Sequence, residues 1–499
     1  MIPIQTVAQV REFEERLIAG GGITAEELME RAGREGAAIL AREFPRAREA
    51  LLLIGKGNNG GDGLVIARHL ARFGWRIALA IPHHRTELGP LCGRKLDELR
   101  AEFPSTLIGP ISEGMPWPHA DGVVVDALLG IGAKGDLRPA LDNAVKLANR
   151  KRAERFFRVA AVDGPTGLHL GADRALAADL TLCIGFGKTA LLQEENADAV
   201  GRIEVVPIFR WDDSEHIPAE AVLERTHLHP LLPRRRPRSH KATFGRLVLV
   251  GGSRGTSGAP LIAATGALRA GAGLVHVAVR SEVLAETVAR APLEAMVSAA
   301  GDGADFSALL EKADVVAVGP GLGTDHDAVE LLRRIQGETK APLVIDADGL
   351  TILSQHPDLL AACRGRALLT PHPGEMGRFL GGKFPEAERA AVARAFAEEH
   401  GVVLVLKGTR TLVAAPGAPL AVNTTGNPGL AAGGSGDLLT GVVAALAGQG
   451  LKLAAAARLG VWLHGRAADL ALRDRGAEEG LGPLEVAGHL AAAFADLRS

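Results

Sequence analysis

One order of residues constrains this chain more than any other: a short, wholly apolar run, then a glycine or an acid, then a helical pattern. It occurs at Leu51-Leu52-Leu53-Ile54 before Gly55, at Val123-Val124-Val125-Asp126 and at Val159-Ala160-Ala161-Val162-Asp163, with Arg76–Ala80 and Leu180–Ile184 as further strands. The second half repeats it at Arg246–Val250, Leu274–Val279, Val315–Val318, Leu343-Val344-Ile345-Asp346, Ala367–Leu369 and Val402-Val403-Leu404-Val405-Leu406. Strands without polar alternation are buried on both faces, as in parallel sheets. Helices between them make each sheet doubly wound, and ligands of such sheets sit beyond the strands' carboxyl ends. A single core rarely grows past about 250–300 residues. The 499 residues are therefore read as two α/β domains, 1–212 and 240–499, joined by a linker over 213–239.

Composition excludes more than it selects. Apolar residues make up 47% and charged ones 23%, with a formal charge of −2, so nothing points to nucleic acid or a membrane surface. The linker holds a basic, proline-flanked run, Arg234-Arg235-Arg236-Pro237-Arg238, which without interleaved aromatics reads as a solvated segment. Three cysteines far apart, Cys92, Cys183 and Cys363, fit a reducing compartment. Charges at Arg11, Glu12, Glu14, Glu15 and Arg16 argue against a signal peptide or anchor. A cytoplasmic protein is expected, with self-association left open. The 62 glycines come in clusters, as where backbone closes on a ligand.

In the first half, Thr24-Ala25-Glu26-Glu27 reads as a capping box opening a helix. Three features then gather at strand ends. Asn58-Asn59-Gly60-Gly61-Asp62-Gly63 is read as a glycine loop offering two amides, free N–H groups and a carboxylate. Asp126 leads into a second loop, Leu129-Gly130-Ile131-Gly132-Ala133-Lys134-Gly135-Asp136, and Asp163 is followed by Gly164-Pro165-Thr166-Gly167. Taken singly each is a turn; together they suggest a site for a phosphate-bearing ligand. These motifs resemble the NAD(P)H-hydrate epimerase domain, a Rossmann-like three-layer sandwich. The resemblance implies that Asn58, Asn59, Gly60, Gly61 and Asp62, with Gly130, Ile131, Gly132, Ala133, Lys134, Gly135 and Asp136, hold the hydrated dinucleotide. It implies a K⁺ held by Asn59, Asp126 and Thr166, and Asp163 as both substrate contact and catalytic group. The family usually reads Asp-Ile-Pro-Ser-Gly where this chain has Asp163-Gly164-Pro165-Thr166-Gly167; the threonine still supplies an oxygen.

In the second half, Gly426-Asn427-Pro428-Gly429 and Gly433-Gly434-Ser435-Gly436-Asp437 precede a helix with Leu438, Leu439, Val442, Val443 and Leu446 at helical spacing. Its N-terminal end faces back into the glycines and suits a phosphate, with Asp437 beside it. Lys407 closes an apolar run before Gly408-Thr409-Arg410-Thr411, and His372 stands between two prolines. Asp346 and Asp348 are read either as Mg²⁺ ligands through water or as caps of the next helix. His464 lies on an apolar face and is read as a core histidine. No GxxxxGK[ST] segment is present, which excludes a P-loop. Gly434-Ser435-Gly436-Asp437 resembles the anion hole of ribokinase-like phosphotransferases. With Gly319-Pro320-Gly321-Leu322-Gly323, Thr370-Pro371-His372-Pro373-Gly374-Glu375 and Lys407-Gly408, the fuller resemblance is to the ADP- or ATP-dependent NAD(P)H-hydrate dehydratase. That resemblance implies Ala259, Gly321, His372 and Asp437 at the hydrate, Asp437 as the base, and Lys407, Gly408, Thr409, Arg410, Thr411 and Gly436 at the nucleotide. Ala242 stands where the family often has glycine after a His-Lys pair, here His240 and Lys241.

The two resemblances belong to one repair route. They imply epimerisation of R- and S-NADHX and NADPHX, then nucleotide-dependent dehydration of the S form through a phosphorylated intermediate, with ADP or ATP, Mg²⁺ and K⁺ as cofactors. The alternative is a vitamin-precursor kinase fused to a non-catalytic binding domain.

Overall fold

In the first half the strands are β1 (Ile2–Gln5), β2 (Glu49–Ile54), β3 (Arg76–Ala80), β4 (Leu107–Gly109), β5 (Val123–Ala127), β6 (Arg158–Val162), β7 (Leu180–Ile184), β8 (Gly187–Lys188) and β9 (Arg202–Val206). These assignments come from a computed structural model, which describes residues 1–209, 218–301 and 303–498. Seven strands form one sheet in the order β4-β3-β2-β5-β6-β7-β9, and every ladder in it is parallel. Leu52 and Ile54 enter the core on one face, while Leu51 and Leu53 enter the core on the other. That is why the run showed no polar alternation. The helices Ala25–Glu43 and Asn58–Arg72 cover the first face and Pro139–Arg155 the second. Thr24 Oγ1 accepts from Glu27 N at 3.1 Å while Thr24 N donates to Glu27 Oε2 at 2.8 Å, a capping box worth about 1 kcal/mol.

The chain enters this sheet at β2, builds outward to β4, then returns to β5 on the other side. The strand order reverses between β2 and β5, and a crevice opens at such a switch point. The segments after β2 and β5 are therefore the ones placed to hold a ligand.

The second unit runs from Ile217 to Ser499, while Ile2–His216 form the first. Its strands are β10 (Glu220–Val222), β11 (Arg246–Val250), β12 (Leu274–Val279), β13 (Met296–Ala299), β14 (Val315–Val318), β15 (Leu343–Ile345), β16 (Ala367–Leu369), β17 (Val403–Leu406), β18 (Leu412–Ala414) and β19 (Leu420–Val422). They lie in the order β13-β12-β11-β14-β15-β16-β17-β18-β19-β10. All are parallel to their neighbours except that β18 is antiparallel to β17 and β19. The order reverses between β11 and β14. One face is covered by the helices Ala259–Arg269, Ser435–Gly448, Leu453–Arg475 and Pro483–Arg498. Each fully buried Leu or Val of these helices contributes about 1.5–3 kcal/mol.

Two expectations need correction. The Asn58–Gly63 segment is not a loop but the opening of the helix Asn58–Arg72. Its glycines serve close approach: a Cβ on Gly60 would lie 2.0 Å from the Gly55 carbonyl oxygen, and one on Gly63 would lie 2.4 Å from Ala127 Cβ. The linker is also shorter than 213–239. Glu220–Val222 pair with β19, and Arg235 docks, its guanidinium 4.0 Å over Phe244 and donating to Gly271 O at 2.7 Å. The boundary at 212 and the polar stretch Trp211–His216 lie outside the described residues.

Candidate active sites

In the first unit the crevice is lined by oxygens. Asp126, fully buried near the end of β5, accepts from Thr166 N and Thr166 Oγ1, both at 2.7 Å, and from Leu128 N at 3.2 Å. Burial pushes its carboxyl up to about 6, against the pull of the Thr166 hydrogen bonds. Asn59, in the first turn of its helix, has both side-chain amide atoms buried with no hydrogen-bond partner among the described residues. Leaving such atoms unpaired costs roughly 1–3 kcal/mol, so they point to a missing ligand. Gly130 keeps space open beside them, since a Cβ there would lie 3.2 Å from Asp163 Oδ2 and 3.3 Å from Asn59 Oδ1.

Asp163 follows β6 directly. Its φ of 63° is left-handed for a residue with a Cβ, and Gly164 continues the turn at φ 155°. Such a backbone costs about 1–2 kcal/mol. Asp163 N donates to Leu182 O at 2.8 Å. Burial pushes the carboxyl of Asp62 well up, and Asp163 and Glu14 add to the push. Ile131, Gly132 and Ala133 are half-buried along the second loop, whereas Lys134, Gly135 and Asp136 are exposed.

In the second unit the helix Ser435–Gly448 starts after Gly434, whose φ is 91°. Asp437 is in its first turn, where unpaired N–H groups favour an anion. Lys407 Nζ lies 2.9 Å from Asp346 Oδ1 and 3.8 Å from Glu375 Oε2. Thr440 Oγ1 donates to Asp346 Oδ2 at 2.7 Å. Gly436 adjoins the pair, for a Cβ on it would be 3.3 Å from Lys407 Nζ. Burial works against charge on both partners. The attraction of Lys407 nevertheless holds Asp346 below the usual carboxylate range, and Asp346 with Glu375 raises Lys407. Burial pushes Asp437 up to about 7, helped by the negative charge of Asp346 and opposed by Lys407.

His372 caps the helix Pro373–Phe379, its Nδ1 accepting from Gly374 N at 3.0 Å. A neutral ring held so carries its proton on Nε2, on a side chain 52% exposed. Ala259 opens its helix three residues after Thr256, whose Oγ1 donates to Gly321 O at 2.8 Å. Both segments follow the strands at the switch point. Asp348 Oδ2 accepts from Gly323 N at 2.9 Å, and both oxygens of Asp346 are occupied. No group of three metal-ligating side chains forms among the described residues. Gly408 and Thr411 close the Lys407–Thr411 turn through a 3.1 Å hydrogen bond, while Arg410 is buried. His464 is buried with Nε2 unpaired among the described residues, and burial pushes its ring down to about 4.

Sequence reasoning passed over three residues at these sites. Lys188 Nζ is 2.6 Å from Asp163 Oδ1 and from Ile184 O. Its signal was the one charged side chain in the Leu180–Leu192 stretch. Glu14 is half-buried, with burial pushing its carboxyl up and Lys188 pulling it down. Thr440 sits among apolar helix residues, where a hydroxyl needs a partner.

Residues 247–489 match the family model for NAD(P)H-hydrate dehydratase, and residues 25–190 match that for the YjeF-related protein N-terminus. A solved ribokinase-like superfamily protein from Enterococcus faecalis V583 superposes with a TM-score of 0.51 at 27% identity, covering 57% of this chain and 99% of that one. The class is thus a ribokinase-like unit following a YjeF-related, Rossmann-like one. The bifunctional NAD(P)H-hydrate repair enzyme of Moorella thermoacetica is 37% identical over 482 residues, 90% of this chain and 88% of the relative. That of Coxiella burnetii is 36% identical over 97% of both chains, and that of Escherichia coli 36% identical over 90% and 86%. The chain belongs to the family of bifunctional NAD(P)H-hydrate repair enzymes.

Proposed function

We propose that the second unit dehydrates S-NAD(P)HX with Asp437 as the base, and that the first unit interconverts the R and S hydrates with Asp163 as the reacting carboxylate. One observation carries the first assignment: an acid raised to about 7 stands in the first turn of a helix that can hold a phosphate. A base matched to neutral pH takes the proton of the C6 hydroxyl as its oxygen accepts the phosphoryl group from ADP or ATP. The C6–O bond then breaks as phosphate departs, a proton is lost from C5, and the C5=C6 double bond of NAD(P)H is restored. His372 and the Ala259 and Gly321 segments are assigned to the hydrate. The Lys407–Thr411 turn and Gly436 are assigned to the nucleotide, with Lys407 facing its phosphates. Mg²⁺ would arrive with those phosphates and neutralise their charge, since Asp346 and Asp348 are already engaged within the protein.

In the first unit, Asn59, Asp126 and Thr166 suit K⁺. Their donors are all oxygens, the carboxylate is buried, and the Asn59 amide lacks a partner. Potassium there would supply positive charge to the crevice and orient the oxygens around it. The kinase alternative is not favoured, because relatives matching both halves together are repair enzymes. The test supplies purified S- or R-hydrate with ADP or ATP and follows the return of NADH absorbance. Both hydrates yield NADH if the reading holds. A stable phosphorylated product would refute the dehydratase half, and R-hydrate left unconverted would refute the epimerase half.

A further inference from the structure

Asp163 is fixed from two sides by separate elements. Its backbone is turned into the left-handed region at the end of β6. Its Oδ1 is held at 2.6 Å by Lys188 from β8. Lys188 has no freedom of its own: its side chain is 3% exposed and a second N–H reaches Ile184 O at 2.6 Å. The turn that carries it is tied back on itself by Phe186 N donating to Ile184 O at 3.0 Å and Cys183 Sγ to Phe186 O at 2.9 Å. β8 is in turn set by its parallel ladder with β1, Gln5 opposite Lys188. The other carboxylate oxygen, Oδ2, is the one facing the space kept open by Gly130.

We propose that Lys188 is a positioning residue for epimerisation, holding Asp163 by Oδ1 so that Oδ2 alone is presented to the C6 centre of the hydrate. The proposal rests on the assignment of Asp163 as the reacting carboxylate. An unpinned carboxylate would rotate about its last bond, and its two oxygens would exchange places at the substrate. Pinning one oxygen with a buried ammonium removes that freedom, and a displacement of about 1 Å at a reacting group costs roughly 100-fold in rate. The ion pair is a poor device for stability, because desolvating two charges offsets most of their attraction. Its placement beside an open cradle is better accounted for by geometry. Glu14 and Asp62 lie within electrostatic reach of the same ammonium, so one lysine faces three carboxylates, Asp163 included.

The experiment measures R-to-S conversion by chromatography on the full chain without nucleotide, which leaves the second unit idle. It compares wild type, Asp163→Asn, Lys188→Met and the double variant. The expected result is a kcat reduced about 100-fold in Lys188→Met with KM changed less than about threefold. The double variant should be no slower than Asp163→Asn, since the lysine acts only through that carboxylate. Asp163→Asn at full activity would refute the assignment of Asp163. An inactive Asp163→Asn beside a Lys188→Met enzyme within about threefold of wild-type kcat, or losses that multiply in the double variant, would overturn the role of Lys188 alone. Should Lys188→Met not fold, the ¹⁵N-labelled wild type decides. The Lys188 ammonium must give a slowly exchanging signal that moves in Asp163→Asn, and an unmoved signal overturns the proposal.

Discussion

Replacing Asp346 with asparagine should move the pH dependence of dehydration without touching the base itself. Asp437 is held at about 7, so about half of it is ionised at pH 7 and about a tenth at pH 6. If it is the base, kcat for S-hydrate at saturating nucleotide falls about fivefold between those two values and approaches a plateau above about pH 8. The negative charge of Asp346 is the largest cause of that elevation after burial. Asp346 also occupies Lys407, whose Nζ is 2.9 Å from its Oδ1. Asparagine removes the repulsion and frees the ammonium to act on Asp437, so both effects lower the Asp437 value. Relief of about 1.4 kcal/mol makes the carboxyl tenfold more acidic, and the limb should descend by on the order of one pH unit. The fall between pH 7 and pH 6 then shrinks from about fivefold to about twofold. The assay records NADH absorbance from purified S-hydrate at constant ionic strength from about pH 5.5 to about pH 8.5. Because the readout is the position of the limb, a lower maximum caused by disturbing Lys407 does not obscure it. A limb that stays put or moves upward would refute the electrostatic argument, and an Asp437→Asn enzyme that keeps the limb would remove Asp437 as its source.

The same elevation has a stability counterpart. An acid raised to about 7 in the native state binds a proton that the unfolded chain has lost, so stability declines as pH rises from about 4 to about 7. Asp437→Asn should stabilise the second unit by about 1–3 kcal/mol at pH 8 and have little effect near pH 4, read by denaturant unfolding. In the first unit, potassium in place of tetramethylammonium should raise the thermal midpoint of wild type and leave Asn59→Leu unmoved; equal rises in both proteins would remove Asn59 from the cation site. Gly441→Ala should cost about 3 kcal/mol or more, because its Cβ would sit 1.8 Å from Ala263 O where the two central helices meet. An unchanged denaturation midpoint would show that those helices can part.

What the sequence disclosed follows from the range over which each signal acts. Apolar runs are local, so β3, β7 and β12 were legible to the residue as Arg76–Ala80, Leu180–Ile184 and Leu274–Val279. Glycines are ambiguous: at Gly60 and Gly63 the absent side chain serves packing inside a helix, and the residues themselves look the same as in a loop. β10 is three residues long, too short for any period, and exists because β19 lies beside it. The acids at the strand ends could be found from position, but their partners could not. Lys188 is 25 residues from Asp163, and Thr440 is 94 residues from Asp346. Only the folded chain joins them.

Division into two compact units, each built on its own sheet, also bears on how the two activities support one another. Epimerisation has no driving force of its own, since R and S hydrates differ only at one carbon. Dehydration coupled to nucleotide consumption is downhill and withdraws only the S form. Each S molecule removed pulls another R molecule across, through the concentration of a shared intermediate. That linkage operates by mass action and requires no signal between the sites, so the halves expressed as separate chains and mixed should clear both hydrates. Fusion then fixes their ratio at one to one, so that every dehydratase made comes with the epimerase that feeds it.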